Sequence, residues 1–154
     1  MWNTDKSLTL SLVCTKIAIV LVFAAAIAFP IALRKGLFGE DGYVTAQMND
    51  HIPLIIAIFI ICCLLALIAL FSLNRLLANI KNGNVFTEKN VRLLRTISWM
   101  CFAVAIATLV AGFATSFFFL VIGALACFFG LILRVVKNVI AAAVQLKDEN
   151  DYTI

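Results

Sequence analysis

The chain has 154 residues, 64% of them hydrophobic and only 13% charged, and its mean hydropathy of +1.11 lies well outside the range of soluble domains. These figures exclude a water-soluble enzyme fold and point to one compact membrane domain. The formal net charge of +4 does not argue for nucleic acid, because the basic residues flank apolar runs, where they set topology and meet anionic lipid; no direct nucleic-acid binding is expected.

Met1 to Ser11 is a short polar leader with Asp5 and Lys6, and the apolar run Leu12 to Leu33 forms the first span. Ala26-Ile27-Ala28 resembles a small-x-small cleavage site, but the run stays apolar through Phe29 to Leu33, so it is read as a retained span and not a signal peptide. Lys16 sits about one turn inside, where its stem can snorkel to the interface; an intramembrane proton or ligand site is the sharper alternative. Pro30 either kinks the helix or marks its last turns.

Arg34 to Ile52 reads as an outer loop punctuated by Gly36, Gly39 and Gly42, with Thr45 a candidate cap for a short interfacial helix. His51, Asp50 and Glu40 do not make a metal site, since no paired histidine or cysteine completes the ligand set. Pro53 to Leu73 is the second span, uncharged, with Pro53 in the first turn, where a missing amide hydrogen costs least. Its helix is expected to run on through Arg75 to Lys81 and to stop at Asn82-Gly83-Asn84.

Thr87 then caps a new helix, Glu88 occupies the first turn, where the helix dipole favours an acid, and Phe86 is placed to staple onto Val91. Lys89, Arg92 and Arg95 follow at i, i+3 and i+6 as one basic stripe, either a lipid-headgroup anchor or a docking surface, and Trp99 suits an interfacial anchor. Ile97 to Ala111 and Phe117 to Leu133 make most of the third and fourth spans. Their uncharged connection, Gly112 to Ser116, is too short for anything but adjacent antiparallel helices. The fourth helix is expected to continue past Leu133, with Arg134, Lys137, Asn138, Ala141 and Gln145 on one side and Val135, Val136, Val139, Ile140 and Val144 broadly opposed. The acidic ending, with Asp148, Glu149 and Asp151, opposes a helix C-terminal dipole and is expected to leave the helix.

Lys6, Lys16, Arg75, Lys81, Lys89, Arg92, Arg95, Arg134, Lys137 and Lys147 fall on one side of this arrangement and only Arg34 and Lys35 on the other, which places both termini in the cytoplasm. The expected fold is an all-α membrane protein: a four-transmembrane-helix bundle, N-in/C-in, with helical cytoplasmic extensions. Its spans cover about residues 12–33, 53–73, 97–114 and 116–136, with a cytoplasmic loop 74–96 and a cytoplasmic tail 137–154. Small residues at four-residue steps, Ala24, Ala28 and Ala32, then Ala103, Ala107 and Ala111, then Ala126 and Gly130, suit close helix contacts within the chain or in a homodimer, the first being preferred. Cys14, Cys62, Cys63, Cys101 and Cys127 all lie in apolar runs and read as packing residues.

Catalysis needs positioned nucleophiles, acids, bases or metals, and no such constellation is present, so no catalytic residue, metal site or cofactor is assigned. A proton-coupled exporter normally needs an ionisable group inside the membrane, and the spans hold no Asp, Glu or His. With the central stretch Asn82-Gly83-Asn84-Val85-Phe86-Thr87-Glu88-Lys89-Asn90-Val91-Arg92-Leu93-Leu94-Arg95 and the ending Leu146 to Ile154 in view, the chain resembles the domain-of-unknown-function 2975 family of small bacterial membrane proteins. The resemblance covers nearly the whole chain: four spans, a G-x-x-F-T-x-x-N-x-x-x-L-R-like connector and an E-N-D-L-T-I-like tail, with Tyr152 where the pattern has an aliphatic residue. It implies a multi-pass location in the bacterial inner membrane and no catalytic residues. Members are often encoded beside a small helix-turn-helix regulator, which implies such a regulator as a partner. Asp148, Glu149 and Asp151 could cover its basic DNA-reading surface, or pair within the chain with Lys89, Arg92 and Arg95. Two rival expectations are immunity to a membrane-active peptide, through the bundle or the loop Gly36 to Asp50, and transport dependent on Lys16.

Overall fold

Inside a hydrocarbon layer each backbone amide must find its hydrogen bond within its own segment, so long apolar runs become helices. The computed structural model describes residues 4–34, 52–114 and 117–151 and contains α1 (Thr4–Arg34), α2 (Ile52–Lys81), α3 (Glu88–Ala114) and α4 (Phe117–Asp151). All four are long and apolar enough to cross a membrane. Residues 1–3, 35–51 (with Thr45 and the Glu40, Asp50 and His51 set), 115–116 and 152–154 lie outside the described residues. Pro30 sits inside α1, which continues to Arg34.

The helices pack mainly in chain order, α1 on α2, α2 on α3 and α3 on α4. Each neighbour runs antiparallel to the last. Phe29 and Phe59 stack with ring centroids 4.2 Å apart near the loop end of α1 and α2, and Ser98 bonds Gly130 across α3 and α4. The start of α1, the end of α2, the start of α3 and the end of α4 therefore share one end of the bundle, the connector end. A core cluster there joins three helices: Leu76, Leu94 and Ile97 are buried, and Leu73, Ile80, Leu133 and Ile140 pack against them.

The α3–α4 seam depends on small residues. A Cβ on Gly123 would lie 2.9 Å from Thr108 Oγ1 and 3.2 Å from the Ala105 carbonyl oxygen, and one on Gly130 would lie 3.3 Å from Cys101 Cβ. Ala111 is 1% exposed. Ala126 is half-buried in the same seam region, so the stripes of the third and fourth spans serve contacts within the chain. The α1 stripe does not: Ala24 and Ala28 are exposed and only Ala32 is partly covered, because the side of α1 that meets α2 carries Thr15 and Phe29 instead. Hydroxyls in the apolar layer are satisfied locally, Thr15 Oγ1 donating to the Ser11 carbonyl and Ser72 Oγ to that of Ile68.

Two expectations for α4 need correction. The acidic ending does not leave the helix, which holds Asp148, Glu149 and Asp151 in its last turns. The dipole's penalty is a few tenths of a kcal/mol at an exposed end, and it is offset by burial of Val144, by the helix-favouring run Ala141-Ala142-Ala143 and by the i,i+4 bond from Gln145 Nε2 to Glu149 Oε1 at 3.1 Å. The apolar side also divides. Ile140 and Val144 turn toward α3, whereas Val135, Val139 and Leu146 are 62%, 64% and 66% exposed, since residues four and seven apart share a face and these belong to a different face.

Candidate functional site

The site is built on the connector between α2 and α3. Gly83 has φ +79°, the left-handed region, and α2 closes with the Asn84 amide donating to the Asn79 carbonyl (3.0 Å) and the Gly83 amide to that of Ile80 (3.0 Å). That pair of bonds is a Schellman motif, which satisfies the last carbonyls of the helix and requires glycine at its turning residue. Thr87 occupies the N-cap position of α3, its carbonyl accepting from the Asn90 and Val91 amides.

Asn90 locks the two helix ends together. It is fully buried, its Nδ2 donates to the Asn84 and Val85 carbonyls at 2.7 and 2.8 Å, and its Oδ1 accepts from Asn79 Nδ2 at 2.8 Å. One amide group thus satisfies two carbonyls and a second amide where no water competes, an arrangement that only asparagine's size and donor-acceptor pair can supply here. The asparagine of the connector motif holds this turn in one shape. Its role, and that of Asn79, escaped the sequence reading. The signal was an amide side chain placed one helical turn past an N-cap and following a glycine stop.

This rigid corner aims the first turns of α3 at the end of α4, and a groove of about 570 Å³ lies between them. Glu88, Val91, Arg92 and Arg95 form one wall, and Ala141, Val144, Gln145, Asp148 and Glu149 the other. Val91, Ala141 and Val144 give the groove an apolar floor with charged rims of both signs. Arg92 Nη2 lies 3.3 Å from Glu88 Oε2, both side chains more than 70% exposed, so this pair contributes only about 0.3–0.5 kcal/mol.

The structure therefore brings Arg92 and Arg95 together with Asp148 and Glu149. Lys89 is not on that wall. Three-residue steps rotate backwards around a helix, so Lys89 faces a separate recess lined by Arg75 and Asn79 of α2, with Arg92 on the ridge between the two. Asp151 is the final residue of α4. Within the bundle, a second cavity of about 220 Å³ is bounded by apolar side chains of all four helices, Phe29, Phe59, Val104 and Phe119 among them. Its polar wall residue, Thr108, donates its hydroxyl to the Val104 and Ala105 carbonyls. Among the described residues, no group of three or more His, Cys, Asp or Glu is placed to hold a metal ion.

These features define a class: a four-helix membrane-spanning bundle with a folded polar connector and an amphipathic groove at one end. Within that class, the family model described as protein of unknown function (DUF2975) matches residues 7–154, and the chain belongs to that family. No curated protein and no solved structure matches the chain.

Proposed function

We propose that the protein is a non-enzymatic interaction or regulatory protein of the bacterial inner membrane, with its connector end in the cytoplasm, and that the groove between α3 and α4 docks a small helix-turn-helix regulator. The observation that carries this reading is the groove itself: acids from the end of one helix and arginines from the start of another flank an apolar floor outside the apolar spans. An amphipathic helix bearing basic residues on one edge fits such a groove, its apolar face on Val91 and Val144 and its charges on Asp148 and Glu149. The cytoplasmic assignment rests on the excess of Lys and Arg at the connector end. The helix-turn-helix class of partner rests on the family resemblance.

The test is crosslinking and co-purification from native membranes, comparing the unaltered protein with the double variant Asp148→Asn, Glu149→Gln. Capture of the regulator should fall on the order of tenfold, as expected for losing interfacial charge pairs worth about 1.4 kcal/mol in total. Capture at the unaltered level would remove the groove from the function.

A further inference from the structure

Behind the docking groove, on the bilayer side of Arg95, lies a smaller recess lined by Arg95, Ser98 and Trp99 of α3 and by Arg134 and Lys137 of α4. Its volume is about 50 Å³, too small for an organic metabolite and enough for one tetrahedral oxyanion or a water or two. Three cationic side chains from two helices converge on it, and none of its lining residues is acidic. A recess with this lining favours an anion over a cation or a neutral group. The Ser98 hydroxyl is already committed to the Gly130 carbonyl at 2.9 Å, which fixes the spacing of the two helices at the recess. Arg134 lies with its guanidinium carbon 5.9 Å from the Trp99 ring centroid, a cation–π contact between two residues that line the recess.

The depth of the recess identifies the source of the anion. At about 1.5 Å per residue, Arg134 lies roughly 26 Å along α4 from Phe117 and Trp99 roughly 22 Å along α3 from Ala114. A hydrocarbon layer is about 30 Å thick, so these backbone positions lie roughly 4 and 8 Å short of its edge, close enough for the long Arg134 side chain to reach the lipid phosphates and for Trp99 to approach the interfacial belt where tryptophan is enriched. The geometry points to a binding site for the phosphate of an anionic glycerophospholipid, clamped by Arg95, Arg134 and Lys137 against Trp99. Basic pockets between membrane helices take such headgroups, and paired guanidinium groups suit a phosphodiester's oxygens. Arg95 belongs to both this recess and the docking groove, so a bound lipid draws it away from the acids opposite.

This inference stands apart from the docking reading and is tested with residues outside the groove. The full chain, purified in a non-ionic detergent, is titrated with phosphatidylglycerol, phosphatidylcholine or inorganic phosphate, and bound species are counted by native mass spectrometry. The unaltered protein should retain phosphatidylglycerol about tenfold better than phosphatidylcholine. The double variant Arg134→Gln, Lys137→Gln should lose that preference, whereas Lys81→Gln, Lys89→Gln, which removes the same charge elsewhere on the connector end, should keep it within about twofold. An equal loss in both variants would mean diffuse attraction and no site. Inorganic phosphate bound as tightly as the lipid would overturn the lipid assignment, and so would the absence of any preference in the unaltered protein. A monodisperse elution profile for each variant shows that it is folded, and Arg134→Lys, Lys137→Arg, which conserves both charges, should keep the preference; its loss in that folded variant would overturn a site held by charge.

Discussion

α1 and the α3–α4 pair are comparably apolar, yet they are held in different ways. α1 packs chiefly on α2 and shows large apolar side chains over much of its surface, with Val20, Leu21 and Phe23 each at least 60% exposed. The α3–α4 pair meets through glycines at close approach and the Ser98–Gly130 bond, and the Asn79–Asn90 lock ties α3 to α2 at the connector end. In lipid an exposed leucine costs nothing, so apolarity does not decide which helices associate. Small residues and satisfied polar groups do, and here they fix α3 against both α2 and α4.

Substitutions can break or sharpen that contrast. The largest effect is expected for Asn90→Ala, which strands two carbonyls and the Asn79 amide in a buried site and should destabilise the fold by about 2–4 kcal/mol. Asn90→Asp should be no better, because the carbonyls of Asn84 and Val85 would then face a carboxylate; unfolding in a mild detergent reads both. Next comes Gly123→Ala, at about 1–3 kcal/mol in the same assay, since its new methyl meets the Ala105 backbone, with Gly130→Ala milder because its contacts begin at 3.3 Å. Ser98→Ala should cost about 0.6 kcal/mol, the usual value of a hydrogen bond between membrane helices. The pair Ala24→Leu, Ala28→Leu on α1 should change stability by less than about 0.5 kcal/mol, because both positions are exposed. If that pair instead proved as damaging as Gly123→Ala, the contrast would fail; if it altered only the mass of the purified species, α1 would be the face that meets a second copy.

Much of the architecture was legible in the residues. Apolar runs bounded by charge required helices, Gly83 marked the stop of α2 and Thr87-Glu88 the restart at Glu88, all by rules that act within one helical turn. The site was legible only in part. Arg92, Arg95, Asp148 and Glu149 were recognisable as candidates by charge, but whether they share a groove depends on the phase of two helices brought together over some fifty residues of chain. That phase placed Lys89 in a different recess and turned Val139 and Leu146 outward.

What the chain determined by itself was therefore local and solvent-driven: where helices begin, where they end, and that they belong in lipid. What the tertiary structure decided was how those helices are rotated and how closely they approach, which is why the role of Asn90, the fit of Gly123 and the convergence of Arg95, Arg134 and Lys137 emerged only there. The physical reason is that a buried amide bond or a glycine contact has value only once its partner atom is in place, and no spacing along one helix specifies the atoms of another.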